Sequence, residues 1–501
     1  MLIENDWILT LFYLVILMLF VTISDVLYKK MKISGKITRR FVHVGVGLAI
    51  CTTPFLLDNW LPPLLLAGIF IIANSFAIKN KMMSGIHSAN RISYGTVFFP
   101  ISYMILILIF WNKHPEIIVI SMLLLTISDP IAAIIGEKYG ESFTTFLHDK
   151  KSFRGLIGVF VSSFLLTLGA FFGMAQYNYI NYLTFNNILI ISLAVATIAV
   201  PAEAISIKGT DNLSLPLLTA SMLSIMLPES LTGNLQNLAW ILLAVGVAIL
   251  AYRLKALSKS GAAGAIVVGA FIFTIGGIAW LLPLALFFVL SSILSKLGRD
   301  RKKEVGKIVL KGGQRDISQV YANGGVGLVL ALIYHFVPHP LFYIMYLGSL
   351  AAANADTWET EIGTFFQQET YNVVDFKKVP PGTSGGISFM GTIGGLAGSA
   401  IIAVSGIIIS NFDATYFVFI TILVSGILGS ILDSYAGALF QAEYTCFKCR
   451  QKTEHLKHCN EMTELTAGFK WINNDMVNFI CTLSGSIIVL LIYNLIGHLI
   501  V

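Results

Sequence analysis

An acid in apolar surroundings, Asp129, stands near Gly136 and Gly140, and the segment His148-Asp149-Lys150-Lys151-Ser152 with Gly155 follows. A carboxylate facing a lysine pair and a helix N-terminus makes a nucleotide site: the acid holds Mg²⁺, while Lys150, Lys151, Ser152 and free N–H groups hold phosphates. Helix capping and interfacial snorkelling would account for Lys150, Lys151 and Ser152 singly. Asp129 resists that reading, because an ionisable residue in an apolar stretch is functional by default. Three more polar sets sit at the ends of apolar stretches: Arg39, Arg40 and His43; Asn90, Arg91, Ser93, Tyr94 and Gly95; and Glu203, Asp211 and Asn212. His43 alone would read as a satisfied bundle histidine, so the case rests on several edges each presenting polar groups.

The second half repeats the theme with Arg315, Gln319 and Asn323-Gly324-Gly325, then Asn354, Asp356, Glu359 and Glu361, then Asp433-Ser434. Between the last two sets runs Pro380-Pro381-Gly382-Thr383-Ser384-Gly385-Gly386-Ile387-Ser388, a turn expected to offer backbone N–H groups to a phosphate. It lacks the lysine and spacing of a Walker A loop, so no P-loop fold follows. Small residues also serve tight helix packing, which suits Gly394, Gly395 and Gly398 better than this turn. In both halves an Asp is followed by a Gly seven positions on, Asp129 with Gly136 and Asp356 with Gly363, and a Ser/Gly turn comes next. A distant duplication would produce that order, and so would any multi-helix protein with polar residues at one edge. Cys446-x-x-Cys449 followed by His455, His458 and Cys459 offers a structural zinc site, expected from Cys446, Cys449, His455 and Cys459.

These residues need a scaffold of membrane helices. The chain of 501 residues is 56% hydrophobic and 12% charged, with a mean hydropathy of +0.79; soluble domains carry about 25% charged residues. Sixteen apolar stretches run from 7–28 to 477–499, among them 41–57, 213–228, 261–277, 279–297 and 340–355. Several are short, so 14 to 16 transmembrane helices in two fused halves are expected, in an all-α polytopic membrane protein. With the N-terminus outside, Lys113 is the one of the 33 basic residues left on the far side, which puts the chemical loops at the cytoplasmic face. The first stretch follows an acidic start and reads as a retained helix rather than a signal peptide. The net charge of +6 is what topology and anionic headgroups produce, so nucleic acid is not expected as a partner. Thiols in a cytoplasmic loop stay reduced, and no disulfide framework is implied.

Residues 1–230 resemble the phytol kinase and dolichol kinase family, itself related to phosphatidate cytidylyltransferases. The likeness is carried by Arg40-Phe41-Val42-His43, Ser93 to Pro100, Ser128-Asp129-Pro130 through Gly155, and Gly209-Thr210-Asp211-Asn212-Leu213. It implies CTP-dependent phosphorylation of a long isoprenoid alcohol. Residues 231–501 resemble the DUF92 family, which includes transmembrane protein 19 and the plant phytyl-phosphate kinase. Here the likeness rests on Gly261-Ala262, Gln319 to Gly325, Ala355 to Gly363, Gly382 to Ser388 and Asp433-Ser434. It implies a second phosphorylation, from isoprenyl monophosphate to diphosphate.

On that reading, Asp129 holds metal, Arg40, Lys150 and Lys151 meet phosphates, and His43 is the base. In the second half Asp356, Glu361 and Asp433 hold metal, Thr383 to Gly386 with Arg315 hold phosphates, and Asn323 orients the acceptor. The competing classes are a CTP-dependent lipid cytidylyltransferase and a transporter. Transport would place polar residues near mid-membrane with helices broken there, whereas these cluster at helix ends.

Overall fold

A computed structural model describes the chain apart from residues 1–4, 81–92, 141–142, 146–149, 178, 181, 298–313, 411–414 and 497–501, and apart from the side chains of 143–145 and 150. Asn90, Arg91, His148 and Asp149 therefore lie outside the described residues, as does the side chain of Lys150. The chain is an all-α polytopic integral membrane protein, 77% helical. Among the described residues, 11 helices are long and apolar enough to cross a membrane.

The chain forms two compact units, Met1–Ala239 and Trp240–Val501, so the division falls inside a helix rather than before it. The first unit contains α1 (Asp6–Lys29), α2 (Gly35–Cys51), α3 (Thr53–Leu56), α4 (Leu61–Lys79), α5 (Gly95–Phe110) and α6 (Pro115–Leu123). A π-helical turn over Leu124–Ser128 leads into α7 (Asp129–Tyr139), and β1 (Phe143–Thr145) pairs antiparallel with β2 (Lys150–Ser152). Then come α8 (Phe153–Gln176), α9 (Phe185–Ala204), α10 (Asp211–Met226) and α11 (Leu231–Arg253), which carries the boundary.

The second unit continues with α12 (Lys259–Lys296), α13 (Ile317–Phe336) and α14 (Pro340–Phe366). Next, β3 (Thr370–Asn372) pairs antiparallel with both β4 (Lys378–Val379) and β5 (Gly386–Ile387). After α15 (Phe389–Ile409) and α16 (Thr415–Phe440) come β6 (Glu443–Thr445), β7 (Lys452–Thr453), β8 (Lys457–His458), β9 (Glu461–Met462), β10 (Glu464–Ala467) and finally α17 (Asn474–Ile496). In this segment β6 lies between β10 and β7, and β8 pairs with β9.

Among the described residues, each of the sixteen apolar stretches falls mainly on helix. Two of them, 261–277 and 279–297, form the single 38-residue element α12, which a straight helix would extend over about 57 Å. It is not straight. Gly277 at its middle has φ 55° and ψ −146°, a conformation that only glycine adopts without strain. The Lys296 ammonium at its end lies 3.5 Å from the Leu254 carbonyl before its start. Arg315, bonded through its backbone to Ala256 and Ser258, packs on the rings of Phe287 and Phe288. Both ends thus meet, and α12 is a helical hairpin reversing at Gly277.

Candidate functional site

In the first unit, α7 starts at the residue that matters. The π-helical turn ahead of it directs the Leu125 carbonyl toward position 130, which is proline and has no N–H to give. That carbonyl accepts from His43 Nε2 instead, at 2.9 Å. A carbonyl only accepts, so Nε2 carries the proton and Nδ1 is the basic nitrogen. His43 Nε2 also lies 3.9 Å from Asp129 Oδ2.

Asp129 is not alone. One oxygen from each of Asp129, Glu203 and Asp211 lies within 4.8 Å of the others, which brings the end of α9 and the start of α10 to the start of α7. Among the described residues, Glu203 Oε2 is buried without a hydrogen-bond partner. Lys151 joins the group from β2, donating to Glu203 and lying 3.8 Å from Asp211. Burial alone would push the Lys151 ammonium down, but Glu203 and Asp211 outweigh it and hold its pKa above the ordinary value. Three carboxylate oxygens from different elements fit a hard divalent cation. Asp211 is delivered by the loop before α10, where Gly209 has φ +94° and a Cβ would stand 2.5 Å from the Gly95 nitrogen.

Arg40 pairs with Glu137 at 3.0 Å, and its charge reaches Asp129 along with that of Arg39. Arg39 also donates to Ser93 Oγ at 3.0 Å. Arg39, His43, Val46 and Ile50 share one face of α2 at spacings of three and four, and that face lines a cavity of about 110 Å³. The cavity runs between α1, α2, α4 and α5, from Arg39, His43 and Asn212 at one end to Tyr13, Thr53 and Tyr103 at the other. Along α2 the lining face from Arg39 to Ile50 spans about 17 Å. Hydroxyl pairs close the far end, Tyr13 with Thr52 at 2.6 Å and Thr53 with Tyr103 at 2.5 Å.

In the second unit, Asp356 of α14 and Asp433 of α16 face each other, with Glu359 beside them. Among the described residues Asp433 Oδ2 is buried without a hydrogen-bond partner, and Glu359 accepts from Ser430 Oγ at 2.6 Å. Glu361, five residues beyond Asp356, accepts from Ser295 Oγ of α12 at 2.6 Å, while its charge also acts on Asp356. Arg315 lies on that same side, its charge felt by Glu361. Asn323 turns its amide back to the Gln319 carbonyl of its own helix at 3.0 Å.

The Thr383–Gly386 turn packs on the end of the helix that carries Asp433: Gly385, at φ +74°, leaves only 2.8 Å between a Cβ and the Ser434 carbonyl. The turn does not itself open α15. β5 intervenes and Ser388 is the cap, accepting from Gly391 N–H at 3.2 Å. Two of its N–H groups bond within the turn, Thr383 to Pro380 and Gly386 to Thr383, so fewer face outward than the sequence suggests.

These two constellations are built alike. A Cβ on Gly136 would meet Ser152 Oγ at 2.8 Å, and one on Gly363 would meet Ser388 Oγ at 2.8 Å. Both serines cap the next helix, with Gly155 and Gly391 as donors. A Cβ on Gly155 would meet the Ala132 carbonyl, and one on Gly391 the Glu359 carbonyl, each at 3.0 Å. Ala132 and Glu359 stand three residues after Asp129 and Asp356. A strand pair separates the two helices in each unit. Lys151 corresponds to Ile387 in this alignment, so the second constellation lacks that lysine.

Residues 242–486 match the family described as Integral membrane protein DUF92. The DUF92 stretch contains Asp356, Asp433 and the Thr383–Gly386 turn. The chain is 28% identical to Protein PGR of Arabidopsis thaliana over 265 residues, 48% of this chain and 90% of that protein. It is 29% identical to Protein VTE6, chloroplastic, of the same plant over 240 residues, 47% of this chain and 65% of that protein. It is also 26% identical to the phytol kinase of Synechocystis over 189 residues, 36% of this chain and 76% of that protein. No solved structure matches the chain.

The DUF92 stretch also holds the cysteine cluster, where Cys446, Cys449, His458 and Cys459 place their ligand atoms within 4.8 Å of one another. His455, expected as the fourth ligand, is absent from this group; its backbone bonds to Thr453 and Thr463 instead. Hydrogen bonds from the Cys449 backbone and His458 pull the Cys446 thiol down to about 6.

The close glycine contacts carry a prediction. Gly363→Ala must displace Ser388, the cap of α15, and is expected to destabilise the protein by about 1–3 kcal/mol. Thermal unfolding in detergent reads this as a lowered Tm, and an unchanged Tm would remove the close approach from the account.

Proposed function

We propose that the protein is a bifunctional isoprenoid kinase, which phosphorylates a phytol-like or polyprenyl alcohol and then its monophosphate, with CTP as the favoured donor. The observation that carries this reading is the long apolar cavity that ends on Arg39 and His43 beside the three carboxylates. An isoprenoid chain would fill the cavity and leave its hydroxyl at the charged end. Similarity to proteins named phytol kinase supports the substrate class. The resemblance of the second half to a family that includes phytyl-phosphate kinase supports the second step.

Phosphoryl transfer depends on positioning and charge neutralisation more than on covalent help from the protein. His43, fixed by Leu125, would present Nδ1 to the hydroxyl proton as the oxygen attacks and the bond to the departing CDP breaks. Lys151 and Arg39 would draw the phosphates of the donor to the carboxylates. A divalent cation held by Asp129, Glu203 and Asp211 supplies the charge neutralisation that the transferring phosphoryl requires. In the second unit Asp356, Asp433 and Glu359 would play the carboxylate part. The acceptor there is already a phosphate, so no base is needed.

The deciding experiment incubates protein in detergent with Mg²⁺, phytol or phytyl phosphate, and CTP labelled at either the γ or the α phosphate. Lipid that carries γ label as monophosphate and diphosphate supports the kinase. Lipid that carries α label, with pyrophosphate released, replaces it with cytidylyl transfer. The cavity adds a finer expectation: Ala67→Phe, which narrows it midway, should raise KM for a long-chain alcohol about tenfold while sparing a short one. Equal effects on both chain lengths would remove the cavity from substrate binding.

A further inference from the structure

Residues 443–467 have little with which to hold themselves together. Their strands are two to four residues long, and Phe447, Leu456, Met462 and Leu465 are exposed. A segment of this size without an apolar core requires another source of stability. All of its cysteines are free thiols, so disulfides do not supply it.

The four side chains grouped here have the geometry of a tetrahedral metal shell. His458 Nδ1 lies 3.3 Å from both Cys449 Sγ and Cys459 Sγ. Bonds of 2.0 and 2.3 Å to a common zinc would separate nitrogen and sulfur by about 3.5 Å. Arg450, Cys459 and Asn460 have φ of 58°, 52° and 65°, so the chain turns through the left-handed region just after each ligand pair. Three sulfurs and one imidazole favour zinc over hard cations.

The cluster also connects to the turn next to Asp433. Glu454, between the two ligand pairs, accepts from Gln441 Nε2 at 2.7 Å. Gln441 Oε1 in turn accepts from Ser384 Oγ at 2.6 Å. We propose that Cys446, Cys449, His458 and Cys459 bind one zinc ion, and that the zinc-held hairpin fixes the Pro380–Ser388 turn through Glu454 and Gln441. This holds whatever reaction the protein performs.

The test uses the full chain, purified in detergent after growth with added zinc, with metal content measured by mass spectrometry and local order by hydrogen exchange. About one zinc per chain is expected in the wild type and in His455→Ala, and less than about a fifth of that in Cys449→Ser/Cys459→Ser. Amide exchange over 380–388 should rise about tenfold in the zinc-free protein. Gln441→Ala should reproduce that rise with its zinc retained. Should the double variant fail to fold, chelation of the wild type gives the same comparison. A wild type without zinc, loss of zinc in His455→Ala, or unchanged exchange at 380–388 after zinc removal each overturns the proposal.

Discussion

Asp129→Asn is expected to lower phosphorylation of the isoprenoid alcohol by about 100-fold or more while leaving phosphorylation of the monophosphate near its wild-type rate. Asparagine keeps the volume and removes a charge from a group of three carboxylates assembled at one point. A loss of that size corresponds to about 2.7 kcal/mol of transition-state stabilisation, within the range of one charged contact at a reacting phosphate. The variant should retain its Tm, because the neighbouring Lys151 is held mainly by Glu203. Measuring each step separately, with alcohol and with monophosphate, is essential. If both steps fall together, or neither does, the first constellation is not the alcohol site.

The second large effect is the mirror of the first. Asp356→Asn should abolish conversion of monophosphate to diphosphate by a similar factor of about 100 and cause monophosphate to accumulate when the alcohol is supplied. The motive is the facing pair with Asp433, whose Oδ2 is buried and unsatisfied. Glu361→Gln serves as the comparison, since the Glu361 carboxylate is engaged by Ser295 of α12. It should cost less than about tenfold. A Glu361 variant as damaged as the Asp356 variant would return the metal site to the grouping that the sequence suggested.

The sequence made the membrane class legible because sixteen apolar stretches leave few alternatives, and each stretch proved to fall mainly on helix among the described residues. It made Asp129 legible because an acid stands out among Ile, Leu and Ala. What it could not show was which polar edges meet. Glu203 and Asp211 are far from Asp129 in the chain, and only the packing of α7, α9 and α10 joins them. Adjacent residues raised a second difficulty. Arg39 and Arg40 differ by 100° around α2, and His455 and His458 by one short turn of chain. Spacing offered both members of each pair; the fold sets Arg39 against the cavity and His458 among the cysteines. A signal for Arg39 did exist, because it stands four residues before His43 and therefore on the same face. The threefold match between Gly136, Ser152 and Gly155 and Gly363, Ser388 and Gly391 was visible only as an order of features until the contacts gave it a common geometry.

The reversal at Gly277 bears on how the protein could have been assembled and altered. Because α12 departs from and returns to one end, its two arms form an even insertion. Losing or gaining the whole hairpin would leave every later helix running in its former direction, so the acids of α14 and α16 would keep their side. Substituting Gly277 alone would instead strain the reversal by about 1–3 kcal/mol, with open space for the added Cβ and both crossings kept.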